Sequence, residues 1–165
     1  LANDLGNLAQ RSLSMIAKNC GGVVPQKGEL QEADKAILTQ AEEALSTART
    51  AMKTQAIHTA LAAVFAVVAE ANRYFAGQEP WALKKTDPAR METVLWTTAK
   101  PVRRVAILCQ PTMPESSPRF LDLLSVAADA RSFAHVADEH GLEPGDALPA
   151  PQGVFPRYVE TEAAS

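Results

Sequence analysis

The stretch Gln55-Ala-Ile-His-Thr-Ala-Leu-Ala-Ala-Val-Phe-Ala-Val-Val-Ala-Glu-Ala-Asn-Arg-Tyr-Phe75 decides the fold of this chain. Neither Gly nor Pro interrupts it, and its apolar residues fall on nearly every side of a 3.6-residue period, which predicts a buried helix. The apolar run at its centre, Ala60 to Ala69, is ten residues long, against the roughly 20 that a bilayer span needs. It reads as the central element of a helical bundle.

Working backwards, residues 29–76 hold no Gly. A helix is predicted from Leu30 to Thr54, with Ala33, Ile37, Ala41, Ala44, Leu45, Ala48 and Met52 on its inner face. Another covers residues 1–20, ended by Gly21-Gly22, with a loop through Pro25 and Gly28 after it. Working forwards, Asp87-Pro88 is a helix start: the carboxylate caps exposed amides, and Pro at the first position gives up a donor that had no partner. That helix runs to Cys109 and buries Met91, Val94, Leu95, Thr98, Val102, Val105 and Leu108. Pro111 and Pro114 stop it. Shorter helices are predicted over Ser116 to Ala127 and over Ala130 to His140, the last closed by Gly141. From Glu143 onwards Pro144, Pro149, Pro151 and Pro156 exclude regular helix, so Phe155 and Tyr158 pack from an extended strand of chain. The expected fold is all-α, a helical bundle over residues 1–142 with an extended Pro-rich C-terminal tail over residues 143–165. Thirty alanines favour helix and let the axes approach closely.

At 165 residues the chain is long enough to bury roughly 70% of its unfolded surface. Its 47% hydrophobic and 21% charged composition is globular rather than disordered or membranous. It opens on Leu1, inside a predicted helix and without an initiator Met, and so reads as a fragment of a longer polypeptide. No cationic leader precedes an apolar centre, and a cytoplasmic location is expected. The formal charge of −3 gives no general support to nucleic-acid binding, which rests on Lys and Arg neutralising phosphates. Its distribution is uneven: residues 1–28 carry a net +2, residues 70–119 a net +3 and residues 120–146 a net −5. Such imbalances are also ordinary for solvated faces.

Catalytic chemistry is not encoded in any recognisable pattern. Cys20 and Cys109 belong to no Cys-x-x-Cys pair, so reduced structural thiols are expected. His135 and His140 are five apart, off the spacing that aims two rings at one metal from a helix. No Gly-rich phosphate loop or nucleophile motif is present. Two other stretches carry the functional signal. In Leu1-Ala-Asn-Asp-Leu-Gly-Asn-Leu-Ala-Gln-Arg11, helical spacing puts Asn3, Asn7 and Arg11 on one face, with Leu1, Leu5, Leu8, Met15 and Ile16 roughly opposite. Two amides and a guanidinium make a hydrogen-bonding edge without nucleophile or base, suited to reading a molecule rather than transforming it. In Ala71-Asn-Arg-Tyr-Phe-Ala-Gly-Gln-Glu-Pro-Trp81, a helix is predicted to end at Gly77 and Pro80 to set a turn that presents Trp81. Single-stranded RNA is recognised by aromatics that stack bases and by Asn, Gln and Arg that bond their edges. Plain alternatives stand beside this: Trp81 as a core plug, Asn3 and Asn7 as capping or solvated residues, Arg11 paired with Asp4. Trp96, within a helix, reads as core.

These stretches resemble the C-terminal anticodon-binding domain of bacterial methionyl-tRNA synthetases, class I aminoacyl-tRNA synthetases. Leu83-Lys-Lys-Thr-Asp-Pro88, Leu108-Cys-Gln-Pro-Thr-Met-Pro114 and Gly153-Val-Phe-Pro-Arg157 extend the resemblance along the chain. It implies that Asn3, Asn7, Arg11 and Trp81 read the anticodon CAU of the methionine tRNA, with Trp81 stacking on the first base. It implies a longer parent that joins methionine to tRNA using ATP and magnesium, and a tail, Leu148 to Glu160, that returns towards the catalytic half. The signature motifs His-Ile-Gly-His and Lys-Met-Ser-Lys-Ser, with which class I enzymes activate an amino acid, are absent. This chain is therefore expected to bind no cofactor, to hold no catalytic or metal site and to leave DNA and membranes alone. A non-catalytic helical adaptor and the corresponding domain of another class I synthetase are the alternative readings.

Overall fold

The computed structural model describes residues 2–136 and 141–155, Ala2 by its backbone alone. A π-helical turn, Ala2–Gly6, opens into α1 (Asn7–Asn19), followed by α2 (Glu32–Lys53), α3 (Ile57–Gln78), α4 (Pro80–Thr86), α5 (Pro88–Leu108) and α6 (Ser116–Leu123). The all-α bundle is as predicted. Beyond α6 the expected helix over Ala130 to His140 is replaced, in its described part, by short 3₁₀ turns at Ala128–Ala130 and Phe133–His135; His140 lies outside the described residues. Residues 143–155 contain turns and one antiparallel bridge, Val23 to Ala147. Leu1, Pro156 and Tyr158 also fall outside the described residues.

Helix ends follow local chemistry. Gly21 and Gly22 take positive φ values of 66° and 71° and close α1 as predicted. Two other reversals use residues that sequence reading does not flag. Gln55 adopts φ 57°, with Gln55 N–H bonded to Met52 O and Ala56 N–H to Ala51 O, both at 3.0 Å. This is the paired bonding of a Schellman ending without its usual Gly. Ser125, at φ 52°, does the same with Asp122 O and Leu121 O. That stops α6 at Leu123 rather than at Ala127.

The centre of the bundle is α5, not α3. Helices α1, α2, α3, α4 and α6 all pack against α5, and its residues from Met91 to Ile107 are buried on every side except at Glu92. The expected one-sided burial fails because Lys100, Arg103 and Arg104 also turn inward. Lys100 donates to Gly141 O, Arg103 to His135 O and Arg104 to Val136 O and Leu38 O. Backbone carbonyls thus satisfy the cations on the faces that hydrophobic periodicity leaves polar. Helix α3, by contrast, leaves Ile57 53% exposed and presents small alanines on its outer side.

The inner stripe of α2 is also shifted. Ala33 and Met52 are exposed, and Asp34 is fully buried in their place. Its Oδ1 accepts from Tyr74 Oη at 2.5 Å and Arg90 Nη2 at 2.7 Å; its Oδ2 accepts from Arg90 Nη1 at 2.5 Å and Gln31 N at 2.8 Å. The four bonds fill the acceptor capacity of a carboxylate. Burial by itself raises the carboxyl pKa, but the hydrogen bonds from Arg90, Tyr74 and Gln31 outweigh it and hold Asp34 below the ordinary carboxylate range. Burial first, and then the same carboxylate, push the Tyr74 phenol up.

Removing one partner of a buried ion pair strands the other, at a cost of about 3 to 5 kcal/mol. Arg90→Leu is therefore expected to lower unfolding free energy in urea by that order, and the Asp34→Leu/Arg90→Leu double variant by less than the sum of the single losses. Because the folded carboxyl lies below its unfolded value, its contribution is complete above about pH 4 and declines as pH falls through the folded pKa. Asp34→Asn should flatten that acid limb, measured as urea midpoints against pH.

Candidate nucleic-acid interface

The end of α3, the start of α1 and the whole of α4 meet at one end of the bundle. Helix α3 runs past Gly77, the predicted stop, to Gln78. The break falls at Glu79, φ 46° and ψ 55°, because a residue before Pro is driven out of the right-handed helical region. Pro80 then occupies the first turn of α4, where its missing N–H costs nothing. Trp81 consequently sits in the first turn of a short helix and not on a turn. The residue is 44% exposed.

Beneath it, Phe75 is buried, and the two rings meet edge-on at 6.0 Å between centroids and 62° between planes. The Arg11 guanidinium lies 5.0 Å from the Phe75 centroid and 5.6 Å from that of Trp81. Arg11 thus serves these rings by cation–π attraction, while remaining exposed itself. Leu83 packs α4 onto the core. Lys84 and Lys85 stand exposed three and four residues after Trp81, on its side of the helix, in the last turn where cations suit the helix dipole. Asn72 Nδ2 donates to Val68 O at 3.0 Å and Asp4 O at 3.4 Å, fastening the opening turn to α3.

Asn3 and Asn7 are exposed. With Gly6 and Gln10 they form one wall of a groove of about 390 Å³, whose other wall is Gly153, Val154 and Phe155. The four sequence-predicted residues therefore fall in two adjoining groups: Arg11 with Trp81, and Asn3 with Asn7. Sequence reasoning did not single out Phe75 and Gln10, which stand beside these groups. Phe75 closes a helical period and reads as core, and the contact with Trp81 crosses a helix break that pattern cannot see.

The charge argument needs correction. Among the cations of residues 70–119, Arg90 is bound to Asp34, and Lys100, Arg103 and Arg104 are buried against backbone carbonyls. Burial first, then Arg103 and Arg104, push the Lys100 amine down to about 8. Arg73 pairs with Glu70 at 2.5 Å. The exposed positive charge of this segment comes chiefly from Lys84, Lys85 and Arg119. Among the described residues no group of three or more His, Cys, Asp or Glu is placed to hold a metal ion, and no helix is long and apolar enough to cross a membrane. Burial raises the Cys20 and Cys109 thiols to about 11, which suits inert packing rather than nucleophilic roles.

A family model described as the anticodon binding domain of methionyl tRNA ligase matches residues 24–165. The methionine–tRNA ligase of Mesorhizobium japonicum is 71% identical over the whole chain, which covers 32% of that protein. That of Brucella suis is 68% identical over 98% of the chain, covering 31% of the relative. The solved free-state methionyl-tRNA synthetase of Mycobacterium tuberculosis superposes with a TM-score of 0.92 at 50% identity, over 98% of this chain and 33% of that one. The chain spans about a third of the length of the relatives it matches.

Trp96 is 7% exposed, its indole N–H donating to Leu142 O at 3.3 Å. Truncating such a residue typically costs about 3 to 5 kcal/mol. Trp96→Ala is expected to lower the melting temperature far more than Trp81→Ala. Acrylamide should quench a Trp96→Phe protein, which keeps only Trp81, much more efficiently than a Trp81→Phe protein. Equal quenching contradicts the contrast.

Proposed function

We propose, starting from the fact that this chain belongs to the family of methionyl-tRNA ligase anticodon-binding domains, that it selects a methionine tRNA by reading the CAU anticodon. The observation that carries the reading is Trp81, a half-exposed ring braced edge-on by a buried Phe75 with the Arg11 guanidinium beside it. A base that leaves its own stack gains a replacement surface on such a ring. Arg11, Asn3 and Asn7 then offer donors and acceptors to base edges, and Lys84 and Lys85 meet phosphates without regard to sequence. The sequence motifs that match the family support assigning these roles residue by residue.

The full-length ligase would join methionine to tRNA in the cytoplasm with ATP and magnesium. A Mycobacterium tuberculosis relative was solved in complex with methionyl-adenylate, an intermediate that fits this chemistry. This chain contributes no cofactor site in the proposal, and its partners are the anticodon loop and the catalytic half of its own polypeptide. The Pro-rich tail over residues 143–165 is a separate segment from the domain over residues 1–142 in this reading. Correct pairing at the anticodon would place the distant acceptor end in the active site.

Base stacking on an aromatic is worth about 1 to 3 kcal/mol by alanine substitution. Trp81→Ala is expected to weaken binding of a CAU stem-loop by roughly 5- to 150-fold while leaving helical circular dichroism intact. Arg11→Ala should lower the ratio of affinities for CAU over a one-base variant; an unchanged ratio makes Arg11 a support for Trp81 rather than a reader. Replacing Lys84 and Lys85 should weaken all loops alike and flatten the salt dependence. Equal affinity of the unaltered chain for CAU and scrambled loops would sink the proposal.

A further inference from the structure

We infer that Gln78 and Arg90 are positioning residues for RNA binding: the bond between them fixes the hinge that aims Trp81, and affinity for the anticodon loop depends on it although both side chains lie behind the ring. The inference rests on the proposed anticodon reading and adds to it the means by which the stacking surface is set before RNA arrives.

Helix α4 cannot set the ring by itself. At seven residues it is well below the roughly 12 to 15 at which isolated helices become even marginal in water. Of its residues only Pro80 is buried, with Leu83 half-buried. Its direction is decided at Glu79, which holds φ 46° and ψ 55° against two preferences. A non-Gly residue disfavours the left-handed region, and a residue before Pro favours extended backbone. Relaxing to an extended backbone, Glu79 would swing α4 off the end of α3 and take Trp81 away from Phe75 and Arg11. Strained residues of this kind persist where their surroundings over-determine them.

Those surroundings converge on Arg90. Gln78, the last residue of α3 and the neighbour of the hinge, accepts from Arg90 Nη2 at 2.7 Å. The guanidinium cannot follow a moving Gln78, because Nη1 and Nη2 are also bonded to the two oxygens of the buried Asp34, a two-point fit that fixes the plane of the fork. At the other end of α4, Asp87 N–H donates to Leu83 O at 2.8 Å while Asp87 Oδ1 accepts from Arg90 N–H at 3.0 Å. Gln78 is half-buried and the Arg90 side chain only 10% exposed, so both act from behind the ring. A stacking surface already held in its binding orientation avoids the ordering cost that a loose one meets on binding.

The test uses the full chain and a CAU stem-loop. Gln78→Leu removes the acceptor and leaves the Asp34–Arg90 pair in place. It should weaken binding by about three- to tenfold, a fraction of the loss from removing the ring itself, while lowering the melting temperature far less than Arg90→Leu does. In a Trp96→Phe background, where Trp81 is the only indole, Gln78→Leu should lower the fluorescence anisotropy of the free chain and raise its quenching by acrylamide. Gln78→Glu, whose carboxylate accepts from the same guanidinium, should restore both binding and anisotropy. Added to Trp81→Ala, Gln78→Leu should cause no further loss, because residues that act through one another are not additive. Normal binding by Gln78→Leu, unchanged Trp81 anisotropy, or a loss that persists undiminished in the Trp81→Ala background overturns the positioning role. If Gln78→Leu and the smaller Gln78→Ala both unfold, the bond is purely structural and the inference falls. With Trp81→Ala impaired, each of these results leaves the anticodon reading standing. Equal affinity of the unaltered chain for CAU and scrambled loops overturns both.

Discussion

The Asp34 carboxylate is the point on which the bundle turns. It sits at the first turn of α2, receives the phenol of α3 and both guanidinium branches of α5, and is fully buried. A buried charge of this kind is tolerated only when paired and hydrogen-bonded throughout, so three helix ends must converge in one arrangement. Arg90 extends the constraint to the proposed RNA site. Its Nη2 also donates to Gln78 Oε1 at 2.7 Å, at the end of α3, and its backbone N–H is capped by Asp87 Oδ1 at 3.0 Å, just after α4. One residue therefore holds both ends of the helix that carries Trp81, which lets α4 be only seven residues long and still keep its place.

The other organising feature is α5, an interior helix whose polar positions are not exposed but occupied. Lys100 and Trp96, four residues apart, both bond the backbone at Gly141 and Leu142. Arg103 and Arg104 bond His135 and Val136. The irregular segment after α6 is thereby fastened along one face of α5 by groups that serve in place of a strand partner. Pro101 is carried inside this helix, where it removes one backbone donor.

What sequence reading could see, it saw for physical reasons. The Asp87-Pro88 start of α5 is legible because capping and the missing Pro donor are local. The same holds for Gly21-Gly22, whose left-handed backbone needs no tertiary support. The all-α class follows from a period that runs through the chain. What it could not see is tertiary. Asp34 looks like a solvated first-turn carboxylate until Arg90 and Tyr74 arrive from 56 and 40 positions away. Gln55 and Ser125 reverse the chain without Gly because packing outweighs their modest left-handed strain. At the candidate site, helical spacing grouped Asn3, Asn7 and Arg11 and the family resemblance added Trp81 and their roles, while the Phe75 support and the groove against Gly153 to Phe155 depend on contacts between segments far apart in sequence.

The inward-facing cations bear on how RNA would arrive. Formal charge counts Lys100, Arg103 and Arg104 as part of the basic half of the chain, yet all three are buried inside it with hydrogen bonds to backbone carbonyls. With those three cations inside and a net negative total, the chain steers a polyanion from a distance less than its formally basic half suggests. Encounter would then be comparatively slow and weakly selective for nucleic acid as such, and a tRNA carrying the wrong anticodon would gain little from touching this end of the molecule. Discrimination would rest almost wholly on short-range fit, so that a non-cognate visitor departs quickly and the site is seldom blocked by the many tRNAs that do not belong there.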